Sequence, residues 1–156
     1  MKKIEQTYKI GDVAKASGTS IRTIRYYEEA GLIYPLRTDG GTRLYSQKHI
    51  ARLLVILKLT ECGYSLGIIK SLALARELHK TGDKSQKEVI KHLDGILAVA
   101  QGQIQQLQSL AKQIGVSKSI VQKCSGCKNK PTTKGCPNCP VPEHLSKIEL
   151  LNLVWD

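Results

Sequence analysis

The sequence predicts a mainly α-helical chain: a head of short helices and one hairpin, two connecting helices, one long helix, and a C-terminal loop rich in cysteine. Three observations lead there. Short apolar runs at helical spacing are punctuated by Gly18, Gly31 and Gly63. From Ser85 onward one apolar stripe persists for about four heptads. Four of the five cysteines lie in a single stretch, KCSGCKNKPTTKGCPNCP, at residues 123–140.

Taken in order, residues 10–17 carry Ile10, Val13 and Ala14 on one helical face, and Gly18 ends the run. Ser20 is a natural N-cap for a second helix over 21–30, which Gly31 closes. Two short helices around a glycine-bearing turn form the pattern of a helix-turn-helix. LRTDGGTRLY, at 36–45, then places Asp39-Gly40-Gly41 between two strand-compatible flanks, a strong hairpin signal. A hairpin in that place is a wing. Ser46 caps a third helix to about Cys62, with Ile50, Leu53, Leu54 and Leu57 as its expected buried stripe. Ser65 opens a fourth helix over 66–78. The long helix follows, its stripe formed by Val89, Leu93, Ile96, Ala100, Ile104, Leu107 and Ile114, with Leu110 or Ala111 between the last two. Five glutamines between 101 and 108 make its other face polar. Too little chain remains to cover such a stripe, so it is expected to pair with a second copy. Beyond Gly115 the pattern weakens. Leu145, Ile148, Leu151 and Val154 predict a short terminal helix folded back over the cysteine loop. The expected divisions are a head with connector helices over 1–83, a dimerisation helix over 84–117 and a cysteine-rich region over 118–156.

The formal net charge is +11, which favours an anionic partner, nucleic acid first. All six arginines (Arg22, Arg25, Arg37, Arg43, Arg52 and Arg76) precede residue 77, and the guanidinium fork is the group suited to phosphates and guanine edges. Arg22 and Arg25 are three apart, so they share a helix face. Tyr26 and Tyr27 offer hydroxyls to phosphates, one of the two rings being expected in the core, and Glu28 is expected to neutralise a neighbouring arginine. Ser20, Thr23, Arg37, Arg43, Tyr45 and Lys48 complete the candidate DNA surface. No apolar run follows the first lysines, and LLVIL and GILAVA are too short to span a bilayer, so a cytoplasmic protein with no membrane partner is expected.

IRTIRYYEEAGLI resembles the opening module of the MerR family of bacterial transcription regulators, whose signature R-[YF]-Y-E-x-x-G-L stands here as Arg25, Tyr26, Tyr27, Glu28, Gly31 and Leu32. The family's wing signature G-x-R-x-Y stands as Gly41, Arg43 and Tyr45, and Ser46 provides the following helix cap. The likeness covers about residues 7–70 in motif and 7–123 in architecture. It implies a homodimer joined by an antiparallel coiled coil and seated on pseudo-palindromic promoter DNA. It also implies activation by DNA distortion, so that RNA polymerase can contact both promoter elements, and no enzymatic activity.

The cysteines form two C-x-x-C pairs, Cys124/Cys127 and Cys136/Cys139, with eight residues between them. Two such turns can converge four thiolates on one tetrahedral ion, and the surrounding lysines would offset the resulting negative charge. Zinc or another thiophilic ion is the first occupant to consider, an iron–sulfur cluster the alternative, and a metal-free thiol or disulfide switch a third. The position after the long helix matches the SoxR branch of the resembled family, but the spacing differs. A zinc site could be structural, leaving the inducer elsewhere. His144 could replace one ligand, and Cys62 reads as a packed thiol. Two other classes stay in view. One is a zinc-ribbon-like interaction protein without DNA function. The other is a dithiol oxidoreductase, for which the βαβ context is missing.

Overall fold

A computed structural model of the chain describes residues 6–77, 79–130 and 148–153. Helix α1 (Ile10–Ser17) ends where Gly18 takes the left-handed conformation (φ 66°), a backbone state that a glycine enters without steric penalty. Helix α2 (Ile21–Glu29) begins at Ser20, whose hydroxyl oxygen accepts the Thr23 N–H at 3.0 Å. Ile24 and Tyr27 form its buried face. Gly31 (φ 71°) stops it, and the Leu32 N–H reaches back to the Tyr27 carbonyl at 2.9 Å.

The wing is a small antiparallel sheet in the order β1-β3-β2, made of Thr7–Tyr8, Arg43–Ser46 and Leu36–Arg37. Leu36 pairs with Leu44 and Arg37 with Arg43, as the DGG turn predicts. Strand β1 is a finding beyond the sequence reading. It pairs Thr7 with Ser46 and Tyr8 with Tyr45, so the wing's inner strand is bonded on both sides.

Helix α3 (Gln47–Glu61) starts at Ser46, whose backbone N–H donates to His49 Nδ1 at 2.9 Å, a capping box in which histidine stands in the usual Glu or Gln place. Its buried residues are Ile50, Leu53 and Ile56. Leu54, expected inside, is 46% exposed: the face of α3 that packs on the head is centred on Ile50, Leu53 and Ile56, with Leu57 half-buried at its side, and Leu54 lies outside it. Helix α4 (Leu66–Leu74) is shorter than the expected 66–78. Just past its end the Ala75 and Glu77 amides bond three residues back to the Leu72 and Leu74 carbonyls, a tightened turn that closes the helix.

Helix α5 (Gly82–Val121) runs 40 residues, starting before the expected 84 and passing through Gly115 to a later end than 117. Ser85 lies inside it, with its hydroxyl donating to the Arg76 carbonyl at 2.9 Å and so fixing the α4–α5 turn. The chain forms two compact units, residues 1–95 and 96–156, the division falling inside α5.

In the first unit α1 packs on α2, α3 and β3, around a core of Val13, Ile24, Tyr27, Leu32, Ile33, Tyr45 and Leu53. In the second unit Ile120, Ile148 and Leu151 make a small buried cluster against which Cys124 and Leu150 pack. The predicted terminal helix appears as a 3₁₀ turn, Glu149–Leu153, and residues 143–147 and 154–155 lie outside the described residues. Among the described residues no helix is long and apolar enough to cross a membrane.

Candidate nucleic-acid interface and cysteine turn

On α2, Arg22, Arg25 and Tyr26 are exposed and border one shallow recess with Ile21 and Glu29. Arg22, Arg25 and Tyr26 face solvent while Ile24 and Tyr27, three apart, go inward; Ile21, though at the same spacing, stays 41% exposed in the first turn. Tyr26 and Tyr27 divide as expected. Tyr26 is 54% exposed, whereas Tyr27 is buried with its hydroxyl 3.4 Å from Thr60 Oγ1. Ser20 and Thr23 serve the helix start, their hydroxyls 2.9 Å apart. Arg37 and Lys48 are exposed, at the wing and in the first turn of α3. A second recess, between α2 and the wing, is bordered by Glu28, Tyr34, Arg37 and Arg43.

Tyr45 is where the structure corrects the expected surface. It is 1% exposed, so its side chain belongs to the core and not to an outward-facing contact. Its hydroxyl donates to Glu28 Oε1, and Arg43 Nε donates to Glu28 Oε2 at 2.9 Å. Burial, then the hydrogen bond to Glu28 and its negative charge, push the Tyr45 phenol well above its ordinary range. One carboxylate thus joins α2 to two side chains of β3, Arg43 and Tyr45. Glu28 neutralises an arginine as expected, and it also accepts from a tyrosine, a pairing beyond the sequence reading. A signal for it existed, since residues 43 and 45 of a strand share a face.

Of the stripe on α5, Val89, Ile96 and Ala100 are half-buried, whereas Leu93, Ile104, Leu107 and Ile114 are 48–65% exposed in the single chain. Cys124 is half-buried and Cys127 exposed, on a turn closed by the Cys127 N–H to the Cys124 carbonyl at 3.0 Å, with Gly126 at φ 77°. Two thiols on one turn supply half of a tetrahedral donor set. Cys136, Cys139 and His144 lie outside the described residues, and among the described ones no group of three or more His, Cys, Asp or Glu gathers to hold a metal. Cys62 is exposed at the end of α3, contrary to the packed thiol expected there.

A winged head on a helix-turn-helix with an arginine-bearing second helix, followed by one long helix, defines the class of winged helix-turn-helix regulators. Residues 8–82 match the family described as "MerR HTH family regulatory protein". The chain is 32% identical over 143 residues to the mercuric resistance operon regulatory protein of Bacillus cereus, across 90% of this chain and 98% of that one. It is 43% identical over 90 residues to the ZntR homolog of Haemophilus influenzae, across 52% of this chain and 67% of that one. Among solved structures it is similar to PbrR691 from Ralstonia metallidurans CH34 in complex with lead(II), at 25% identity and a TM-score of 0.53, covering 88% of this chain and 98% of that one. It also shares the fold of HiNmlR, a MerR family regulator lacking the sensor domain, bound to promoter DNA (24% identity, TM-score 0.64, 78% and 90% covered). The chain belongs to the MerR family of helix-turn-helix transcriptional regulators, and it is a regulator and not an enzyme.

Proposed function

We propose that the chain is a dimeric, promoter-binding regulator that responds to a thiophilic metal ion through its C-terminal cysteines. The observation that carries the DNA reading is the outward set on α2, Arg22, Arg25 and Tyr26, beside a wing bearing Arg37 and Arg43. The α2 helix is the groove-reading element, in the manner of helix-turn-helix proteins, while Arg37, Arg43 and Lys48 hold the flanking backbone. The exposed α5 stripe pairs with its twin in an antiparallel coiled coil, joining two heads on one pseudo-palindromic site. The effector state distorts the promoter so that RNA polymerase engages both of its elements. The expected domain limits, 1–83, 84–117 and 118–156, keep their functional meaning in this reading, even though α5 itself reaches Val121.

Cys124, Cys127, Cys136 and Cys139 form the metal centre, with zinc first among its occupants and an iron–sulfur cluster as the redox alternative. The metal reading draws support from relatives named for mercuric resistance and complexed with lead(II). A second reading has its own observation: Cys124 packs on the Ile120–Ile148–Leu151 cluster, as a thiol in a structural zinc staple would. Two measurements test the proposal. Arg25→Ala should weaken binding to a duplex selected by the wild-type chain about tenfold or more, as loss of a base-edge arginine contact does; unchanged affinity at moderate salt would sink the DNA assignment. Serine at any of the four cysteines should leave DNA binding intact and abolish metal-dependent induction. Retained induction would remove the sensing role, and lost folding would support the structural staple.

A further inference from the structure

We propose that Glu28 is a positioning residue for DNA recognition: its carboxylate locks the wing onto α2 and presents Arg43 to the phosphate backbone. The inference deepens the DNA reading above and rests on it.

Glu28 occupies the last turn of α2 with only 10% of its side chain exposed. A carboxylate so little hydrated has to be satisfied from within, and both of its oxygens are spent on a single strand. Oε2 accepts from Arg43 Nε at 2.9 Å, and Oε1 accepts from the Tyr45 hydroxyl. Because Arg43 and Tyr45 are two residues apart on β3, they address the carboxylate from one face. The strand is therefore held at two points, so that it can neither slide nor swing about a single bond. Such a clamp matters here because β2 and β3 pair over only two residue pairs, and so short a hairpin has little stability of its own.

The chemistry of the guanidinium completes the device. Nε carries one of its five N–H donors, and the other four sit on the two terminal nitrogens. Anchoring Arg43 through Nε leaves those four for a partner, and 39% of the side chain stays exposed. A lysine could not divide its work in this way, since its charge and its donors share one atom.

The obvious competing account predicts the opposite sign. If Glu28 were only a negative charge near DNA, it would repel phosphates, and neutralising it would tighten binding. If it positions the wing, neutralising it loosens binding. The full-length chain carrying Glu28→Gln, Arg43→Lys, both together, or Arg22→Ala should be titrated by fluorescence anisotropy against one duplex selected by the wild-type chain, over a range of salt. Glu28→Gln is expected to weaken binding about tenfold, and to flatten the slope of log K against log salt by about one as a phosphate contact is lost. Arg43→Lys should do the same, and the double variant should be scarcely weaker than either single one, since both break the same unit. Equal or tighter binding by Glu28→Gln, or losses that simply multiply, would overturn the proposal. So would a lowered melting temperature with unchanged affinity and salt slope, because that is a purely structural role. Arg22→Ala separates the two layers: if it weakens binding and Glu28→Gln does not, only the positioning role fails, and if neither does, the DNA reading fails. Should Glu28→Gln not fold, Tyr45→Phe and Arg43→Lys each remove one bond and keep the carboxylate. A loss of at least threefold in each supports the clamp, and wild-type affinity in both refutes it.

Discussion

Replacing Tyr45 by phenylalanine isolates one bond of the Glu28 clamp and gives a stability change that can be worked out beforehand. The ring is 1% exposed and stays in place, so no cavity opens and the hydrophobic contribution is unchanged. What disappears is an O–H donor to a carboxylate. Hydrogen bonds to charged groups contribute about 1.5–3 kcal/mol, and Glu28 is too buried for water to replace the lost donor fully. Arg43 still holds the other oxygen, which moderates the loss. We expect about 2 kcal/mol, roughly a thirtyfold change in the folding equilibrium at pH 7. Urea unfolding followed by far-ultraviolet circular dichroism, at one fixed protomer concentration, measures it. The pH dependence adds a second arm. Burial and the bond to Glu28 raise the Tyr45 phenol above its value in the unfolded chain. A raised folded value favours the protonated, folded state, so the contribution is complete below about pH 10 and is lost as pH climbs through the folded value. The gap between wild type and variant should be flat from about pH 6 to 9 and narrow above about 10. A difference below about 0.5 kcal/mol at pH 7, or a gap that stays constant into the alkaline range, would refute the reasoning.

Three further outcomes are expected. Gly31→Ala places a Cβ on a residue at φ 71° and within 3.2 Å of the Tyr34 hydroxyl, so it should lower stability by about 1–2 kcal/mol in the same urea assay, and an unchanged midpoint would contradict the strained C-cap. Glutamine at Leu93, Ile104 and Leu107 together should yield a monomer by light scattering, with helical content reduced in α5; a dimer of wild-type affinity would exclude the stripe as the seam. Chain prepared without oxygen should carry close to one zinc per protomer and release it on titration with a thiol-reactive reagent, whereas brown protein containing iron and sulfide would turn the assignment to the cluster.

What could be read from the sequence was whatever depends on near neighbours. Gly18 and Gly31 end α1 and α2 within a residue of the expected positions, and Ser20 and Ser46 cap as their places suggest, because each decision involves residues within one helical turn. The wing followed from three turn residues. What stayed hidden needed distant partners. Strand β1 is two residues long, too short for any periodicity, and exists only because Tyr45 and Ser46 lie opposite. The wing motif alone points Tyr45 outward, while its actual orientation is set by Glu28, 17 residues away. Gly115 makes the sequence pattern of α5 end early, yet the helix runs on to Val121. A glycine inside a helix costs only about 1 kcal/mol, and burial of Ile120 by the terminal turn accompanies the extra residues.

Strand β3 is the middle of its sheet only because residues 7 and 8 flank it. A chain shortened past Tyr8 would keep every residue named here for DNA contact and every helix cap of the head. It would also turn the wing's inner strand into an open edge, with unpaired amides and carbonyls available to any other extended chain. The first symptom of such a truncation would be a species that self-associates with time and concentration, while its helical signal stays near that of the intact protein. Fusion tags and protease sites placed against Thr7 would meet the same hazard, which makes the opening residues part of the wing's protection against aggregation.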